Sequence, residues 1–114
     1  EKVENLLRHQ LQRIYDSHLM EIYGQVVGEH SQKQLSFAQK ILKSHSEDYQ
    51  ALLAIARISR QSGLPEQAKD YYEKSLSAHP SVSAYAELAQ LHAEQGNYKM
   101  SSELFARGAK LQVN

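Results

Sequence analysis

Residues 49–81 read YQALLAIARISRQSGLPEQAKDYYEKSLSAHPS, and residues 82–114 read VSAYAELAQLHAEQGNYKMSSELFARGAKLQVN. Laid over each other at a spacing of 33, the two stretches agree in side-chain size. Leu52 falls on Tyr85, Ile55 on Leu88, Ala56 on Ala89, Gly63 on Gly96, Ala68 on Ser101, Tyr72 on Phe105 and Ser75 on Gly108. Large residues three and four apart share one helical face. Gly63 and Gly96 fit helix ends that need positive φ, and Pro80 stops the second helix. Each unit is therefore read as two antiparallel helices around a tight turn. The small pairs, Ala56 with Ala68 and Ala89 with Ser101, let the two helices of a hairpin approach closely. The leucine and aromatic positions fill the layer between hairpins. A unit of this kind cannot bury its apolar face alone, so a stack is expected.

Outward from this core, turn formers recur at Gly28–Ser31, His45–Asp48, Ser62–Pro65, His79–Ser81 and Gln95–Asn97. The segments between them carry helical periodicity. A weaker copy covers 14–48, with Leu19, Ile22 and Tyr23 on its first helix and Ala38, Ile41 and Leu42 on its second. Its turn, Gly28-Glu29-His30-Ser31, is longer. Residues 1–13, with Val3, Leu6, Leu7 and Leu11, read as the second helix of an earlier, truncated repeat. Ser31, Ser46 or Asp48, and Ser81 are candidate caps, and Pro65 suits a first helical position with Glu66 in the first turn. The expectation is all-α: an α-solenoid of antiparallel helix-turn-helix repeats, about seven helices, forming one domain over 1–114.

Composition narrows the function. The chain has 13 Lys and Arg against 13 Asp and Glu, which gives no basic footprint for nucleic acid. It has no cysteine and no threonine, so a thiolate site is excluded and a sheet has little to be built from. The longest apolar run, Ala51–Ala56, ends at Arg57, far short of the roughly 20 residues of a membrane span. The chain starts at Glu1, not Met, and is read as part of a longer protein.

No nucleophile elbow, phosphate loop or metalloprotease helix is present, so no catalytic residue is expected. The six histidines, His9, His18, His30, His45, His79 and His92, include no pair at i, i+4, and neither a metal site nor a cofactor is expected from them. His45 and His79 fall at corresponding helix ends, where imidazole suits the dipole. Tyr23, Tyr72 and Tyr85 stand on packing positions, as does His92.

The recurring pattern of Leu-Ala, Gly, small residue, aromatic, small residue and Pro80 resembles the tetratricopeptide repeat. That resemblance implies a superhelix whose first helices line a concave, protein-binding face. The exposed positions would be Gln50, Leu53, Arg57, Arg60 and Gln61 in one repeat and Ser83, Ala86, Gln90, Ala93 and Glu94 in the next. Ser17, Met20, Gly24 and Val27 would be the equivalents in the weak repeat. The binding set is therefore Gln50, Leu53, Arg57, Arg60, Gln61, Gln90, Glu94 and Met20, with Leu53 and Met20 apolar and the two arginines as anchors for a carboxylate. The bland alternative pairs the arginines with Glu94 or Asp48. Arg57, Gln90 and Leu53 depart from the lysine and asparagine pattern of domains that clamp chaperone tails.

The strings Leu19–Gly24, Ala38–His45, Leu53–Arg57, Ala68–Leu76 and Ala84–Ala89 also resemble the C-terminal region of bacterial HemY-like proteins. That likeness implies an inner-membrane parent, facing the cytoplasm and linked to haem biosynthesis, with no direct membrane insertion by these residues. The leading reading is a non-catalytic scaffold that takes a protein or peptide in its groove and no nucleic acid. The alternatives are a haem or porphyrin carrier and self-association as a homodimer.

Overall fold

The protein is described from a computed structural model covering residues 2–113. The first and last residues of the expected ranges 1–13 and 82–114 lie outside it. Seven helices follow in order: α1 (Lys2–Arg13), α2 (Ser17–Gln25), α3 (Ser31–Leu42), α4 (Tyr49–Gln61), α5 (Pro65–Ala78), α6 (Val82–Glu94) and α7 (Tyr98–Val113). The fold is the all-α, tetratricopeptide-like repeat that the sequence pattern predicts.

Local chemistry sets the helix ends. Asp16, Asp48 and Ser81 accept hydrogen bonds from the backbone N–H of Leu19, Gln50 and Ala84, each satisfying a donor that the first turn leaves free. Pro65 opens α5. Gly63 and Gly96 take φ of 76° and 82° in the turns of the second and third hairpins. Ser31 is not a cap: it is the first residue of α3, and His30 precedes it without a side-chain bond. Ile14 lies in the break between α1 and α2 and is 75% exposed.

The helices form two layers. One contains α2, α4 and α6, which side-chain bonds join directly; the other contains α1, α3, α5 and α7. Packing within a hairpin follows the small residues. Ala56, Ala68, Ala89 and Ser101 are all buried, and α4 with α5, and α6 with α7, make the most extensive helix contacts. Side-chain sizes compensate between repeats. Tyr85 stands where Leu52 stands one repeat earlier, and Gly108 stands where Ser75 does. A Cβ on Gly108 would come within 3.1 Å of Tyr85 Cβ, so the larger aromatic needs the smaller partner.

The weak repeat departs from a uniform spacing of 33. Met20, Tyr23 and Gly24 are the buried residues of α2, and they match Leu52, Ile55 and Ala56 at a spacing of 32. The buried Gln34 and Ala38 of α3 match Ala68 and Tyr72 at a spacing of 34. The connection Val26–His30 is two residues longer than its counterparts Ser62–Leu64 and Gln95–Asn97, which shifts the helices on either side in opposite directions. Ile22, expected inside, is consequently 38% exposed. Large and small residues also change places, since Ala38 stands where Tyr72 stands. Gln34 fills the space, and its Nε2 donates to the carbonyls of Tyr23 at 3.2 Å and Val26 at 2.9 Å.

Two core clusters result. Leu11, Met20, Tyr23, Leu35, Ala38, Ala51 and Ile55 belong to the first; Leu53, Ala56, Ala68, Tyr72, Leu88 and Leu104 belong to the second. Phe105, equivalent to the buried Tyr72, is 49% exposed because no described helix follows α7 to cover it. The tightest approach in the molecule is between α2 and α4. A Cβ on Gly24 would meet Ala54 Cα at 2.5 Å and Ala54 Cβ at 2.7 Å. Gly24→Ala is expected to destabilise by about 1–3 kcal/mol by overpacking, despite the helix propensity that alanine adds. Urea unfolding measures this; a stabilised variant would contradict the contact of Gly24 with Ala54.

Candidate functional site

The concave layer is built by α2, α4 and α6, and its spacing is uneven. Where Gly24 faces Ala54 the backbones nearly touch. Between α4 and α6, long side chains meet instead. Arg57 on α4 donates from Nε to Glu87 Oε1 at 2.9 Å and from Nη2 to Glu87 Oε2 at 2.7 Å. This is the bidentate geometry that makes guanidinium–carboxylate pairs strong and directional. The Arg57 Nη1 atom lies 3.8 Å from Glu21 Oε1 on α2, and it is buried without a hydrogen-bond partner. The hydroxyl of Tyr72 on α5 donates to Glu87 Oε1 at 3.0 Å.

Arg57 therefore ties three helices of the concave layer together, with α5 holding Glu87 from behind. Burial works against its charge. The Glu87 carboxylate, reinforced by Glu21, outweighs burial and holds the guanidinium above its ordinary range. Burial, and then the neighbouring Glu87 charge, pushes the Tyr72 hydroxyl up, so Tyr72 stays a donor. One turn on, Arg60 Nη2 donates to Glu94 Oε2 at 2.5 Å. Gln61 Nε2 donates to the Gly24 carbonyl at 3.3 Å, and Gln50 Nε2 to Glu21 Oε2 at 3.1 Å.

All eight expected binding residues lie on α2, α4 or α6, and six of them, Gln50, Arg57, Arg60, Gln61, Gln90 and Glu94, reach the surface of this layer. Of these, Gln61, Gln90 and Glu94 are exposed. Two expectations are corrected. Leu53 is 1% exposed and packs in the second core cluster, and Met20 is 0% exposed in the first. Neither offers an apolar anchor to a partner. Met20 fails because the weak repeat is offset by one residue on α2; the outward residues there are Glu21 and Gln25, and Gly24 belongs to the α4 contact. Leu53 fails because α6 covers it, together with Ala84 and Leu88.

The pairing of Arg60 with Glu94 realises the alternative read from sequence. Asp48 does not join it. It accepts instead from the hydroxyls of Tyr15, at 2.5 Å, and Ser17. Burial opposes its charge, but these bonds and the backbone N–H groups of Gln50 and Ala51 outweigh burial and hold the carboxyl below the usual range.

The sequence pattern does not single out Glu87 or Glu21. Their signal is their spacing from Arg57, about one repeat either way on neighbouring first helices. A concavity of about 510 Å³ opens beside this network, lined by Gln25, Arg57, Arg60, Gln61, Tyr72 and Glu87. Its lining sets two arginines against one glutamate, with two glutamine amides and the apolar stems of these side chains between them.

Two of the six histidines pack on tyrosines. His45 stacks on Tyr15 with ring centroids 3.6 Å apart, and His79 packs on Tyr49 at 4.7 Å. Both partners recur at a spacing of 34, so the first two hairpins each end on the aromatic that begins them. Among the described residues no group of three or more His, Asp and Glu is placed to hold a metal ion. No described helix is long and apolar enough to cross a membrane.

Residues 49–81 match the tetratricopeptide repeat family model, and no curated protein matches the chain. The matched segment is α4, its turn, α5 and the following Pro80. Tetratricopeptide repeats generally mediate protein–protein interaction and are typically non-catalytic.

The network gives a measurable hierarchy. In a double-mutant cycle of Arg57→Gln with Glu87→Gln, coupling of roughly 1–3 kcal/mol is expected, because both side chains are largely covered, at 12% and 26% exposure. The Arg60/Glu94 cycle should give at most about 1 kcal/mol, since Glu94 is 51% exposed. Equal couplings in urea unfolding would remove Arg57 from its central place.

Proposed function

We propose that the chain is one repeat domain over 1–114 acting as a non-catalytic scaffold, and that its concave layer binds an extended segment of a partner protein. The observation that supports this reading is the exposed amide row on that layer. Gln25, Gln61 and Gln90 are exposed on α2, α4 and α6, flanking a concavity whose charged groups are already paired. An amide offers both donor and acceptor, so it can hold a peptide main chain irrespective of its sequence. Arg57 serves this face by fixing the separation of α4 from α6 through Glu87. Arg60 and Glu94, the more exposed pair, can exchange partners with an incoming charged side chain. The groove thus recognises backbone first and charge second.

The HemY-like resemblance supplies the wider context of this proposal: a longer bacterial parent held at the inner membrane and linked to haem biosynthesis. A carrier of haem or porphyrin is the second reading. The observation that favours it is His92, whose Nδ1 is buried and unpaired beside a cleft lined by Tyr85, Met100 and Arg107. A Soret shift on adding haem, lost in His92→Ala, would establish that reading. The scaffold reading expects none.

Selection from a displayed peptide library tests the scaffold directly. Peptides recovered on the native chain should bind Gln61→Ala/Gln90→Ala at least about tenfold more weakly, a loss of ~1.4 kcal/mol, with unchanged helicity. Undiminished binding would move the site off this layer.

A further inference from the structure

On the opposite layer, α1 and α3 do not close on each other. They leave a cleft of about 690 Å³. Its α3 wall carries Lys33, Phe37 and Lys40, spaced four and three apart and therefore on one helical face, with Lys43 beyond them. All three lysines are exposed, and none has an ion-pair partner among the described residues, where the salt bridges involve other groups. The α1 wall contributes Arg8 and Glu4, which neutralise each other at 3.1 Å, and Glu4 also accepts from the Tyr23 hydroxyl at 2.5 Å. Glu29 is the other carboxylate of the lining. The cleft is thus cationic in a chain whose total charge is zero.

A second feature has a different origin. Gln34 lies at the back of the cleft and is 2% exposed. Its amide nitrogen is fully used on the carbonyls of Tyr23 and Val26, which fixes the amide's orientation. Its Oε1 has no hydrogen-bond partner and lies beneath Gly28, where a Cβ would come within 2.8 Å of it. An unpaired buried acceptor costs about 1–3 kcal/mol, and a donor reaches this one only when Gly28 moves aside. Phosphate and anionic lipid headgroups complement the lysines but offer no apolar side chain to Phe37. A peptide brings both carboxylates and apolar side chains.

We propose that this cleft is a second binding surface, for an acidic peptide segment whose carboxylates meet Lys33 and Lys40 and whose backbone runs past Gly28. Lys33 and Lys40 are seven residues apart on α3, a rise of roughly 10 Å, matched by three residues of a polyproline-II chain at about 3.1 Å each, in which residues three apart share a face. The segment therefore carries two acidic residues three positions apart. Phe37, half-buried between the lysines, offers an apolar contact to a residue between them. The surface is separate from the concave groove, so a scaffold using both could hold two segments at once.

The test uses a fluorescein-labelled octapeptide with two Glu three positions apart in a Gly/Ser background. Anisotropy is read at low ionic strength, alongside amide chemical shifts of the protein. Expected are shifts at Gly28, along α3 and in the Gln34 side-chain amide, and affinity reduced about tenfold or more by Lys33→Glu/Lys40→Glu. The Glu→Gln peptide should lose binding likewise, while the Gln61→Ala/Gln90→Ala protein should bind as the native chain does. Both lysines are exposed, so circular dichroism of the double variant should be unchanged. Shifts confined to α2, α4 and α6, or equal binding by the charge-reversed protein, would overturn the proposal. So would displacement by inorganic phosphate or anionic phosphatidylserine vesicles at concentrations no higher than the unlabelled peptide needs, which would mark a general anion surface.

Discussion

The structure depends on the enclosure of α4. Ala51, Leu52, Leu53, Ala54, Ile55, Ala56, Ile58 and Ser59 are all buried, so this helix is covered around almost its whole circumference. Its polar residues Gln50, Arg57, Arg60 and Gln61 share one narrow arc, so the rest of its surface must be covered, and each neighbour finds a surface of the right size. Gly24 of α2 lies on Ala54. Leu35 and Ala38 of α3 share a cluster with Ala51 and Ile55. Ala68 of α5 shares one with Ala56, and Leu88 of α6 with Leu53. The alanines matter as much as the large residues, because close approach lets many weak contacts form at once. α2, α3 and α5 pack directly on this helix, while α1 is held through α2, α6 largely through α5, and α7 through α6.

The same contrast between short and long side chains shapes the concave face. Glycine against alanine brings α2 and α4 together; arginine against glutamate keeps α4 and α6 apart while linking them. A groove exists beside the second contact and not the first. Its charges are mutually satisfied, which makes the arginines poor free anchors and leaves the amides as the groups with unused capacity. On the other layer, the longer connection Val26–His30 and the bulk of Gln34 hold α1 and α3 apart, and the unpaired lysines lie there. Irregularity in the repeat is thus where polar, accessible surface collects.

Much of this architecture is legible in the sequence, for definite reasons. In residues 49–113 the turns have equal length, so a single spacing carries every small and large position to its counterpart, and the inward placing of Ala56, Ala68, Ala89 and Ser101 can be read directly. In the weak repeat, two extra turn residues split the spacing into 32 and 34. A uniform register therefore puts Ile22 inside and Met20 outside, the reverse of what packing requires. Leu53 is misplaced for another reason: position within a helix gives the direction of a side chain but not how far the next helix overlaps it. The run Ala51–Ala56 is too short for a membrane, but its all-round apolarity also marks the most enclosed helix. The ion pairs of Arg57 depend on the rotation of α6 relative to α4, a tertiary quantity that no single-helix pattern contains. The tyrosine–histidine pairs, by contrast, recur at a fixed spacing that the sequence displays.

Native-state hydrogen exchange of the α4 amides tests the central place of this helix most directly. If α4 is the element around which the others are assembled, Ala54, Ile55 and Ala56 should exchange only through global unfolding, with protection equal to the full unfolding free energy. The amides of α1, whose outer face carries the exposed Val3 and Leu6, should exchange through cheaper local opening. Protection of α4 no greater than that of α1 would contradict this picture.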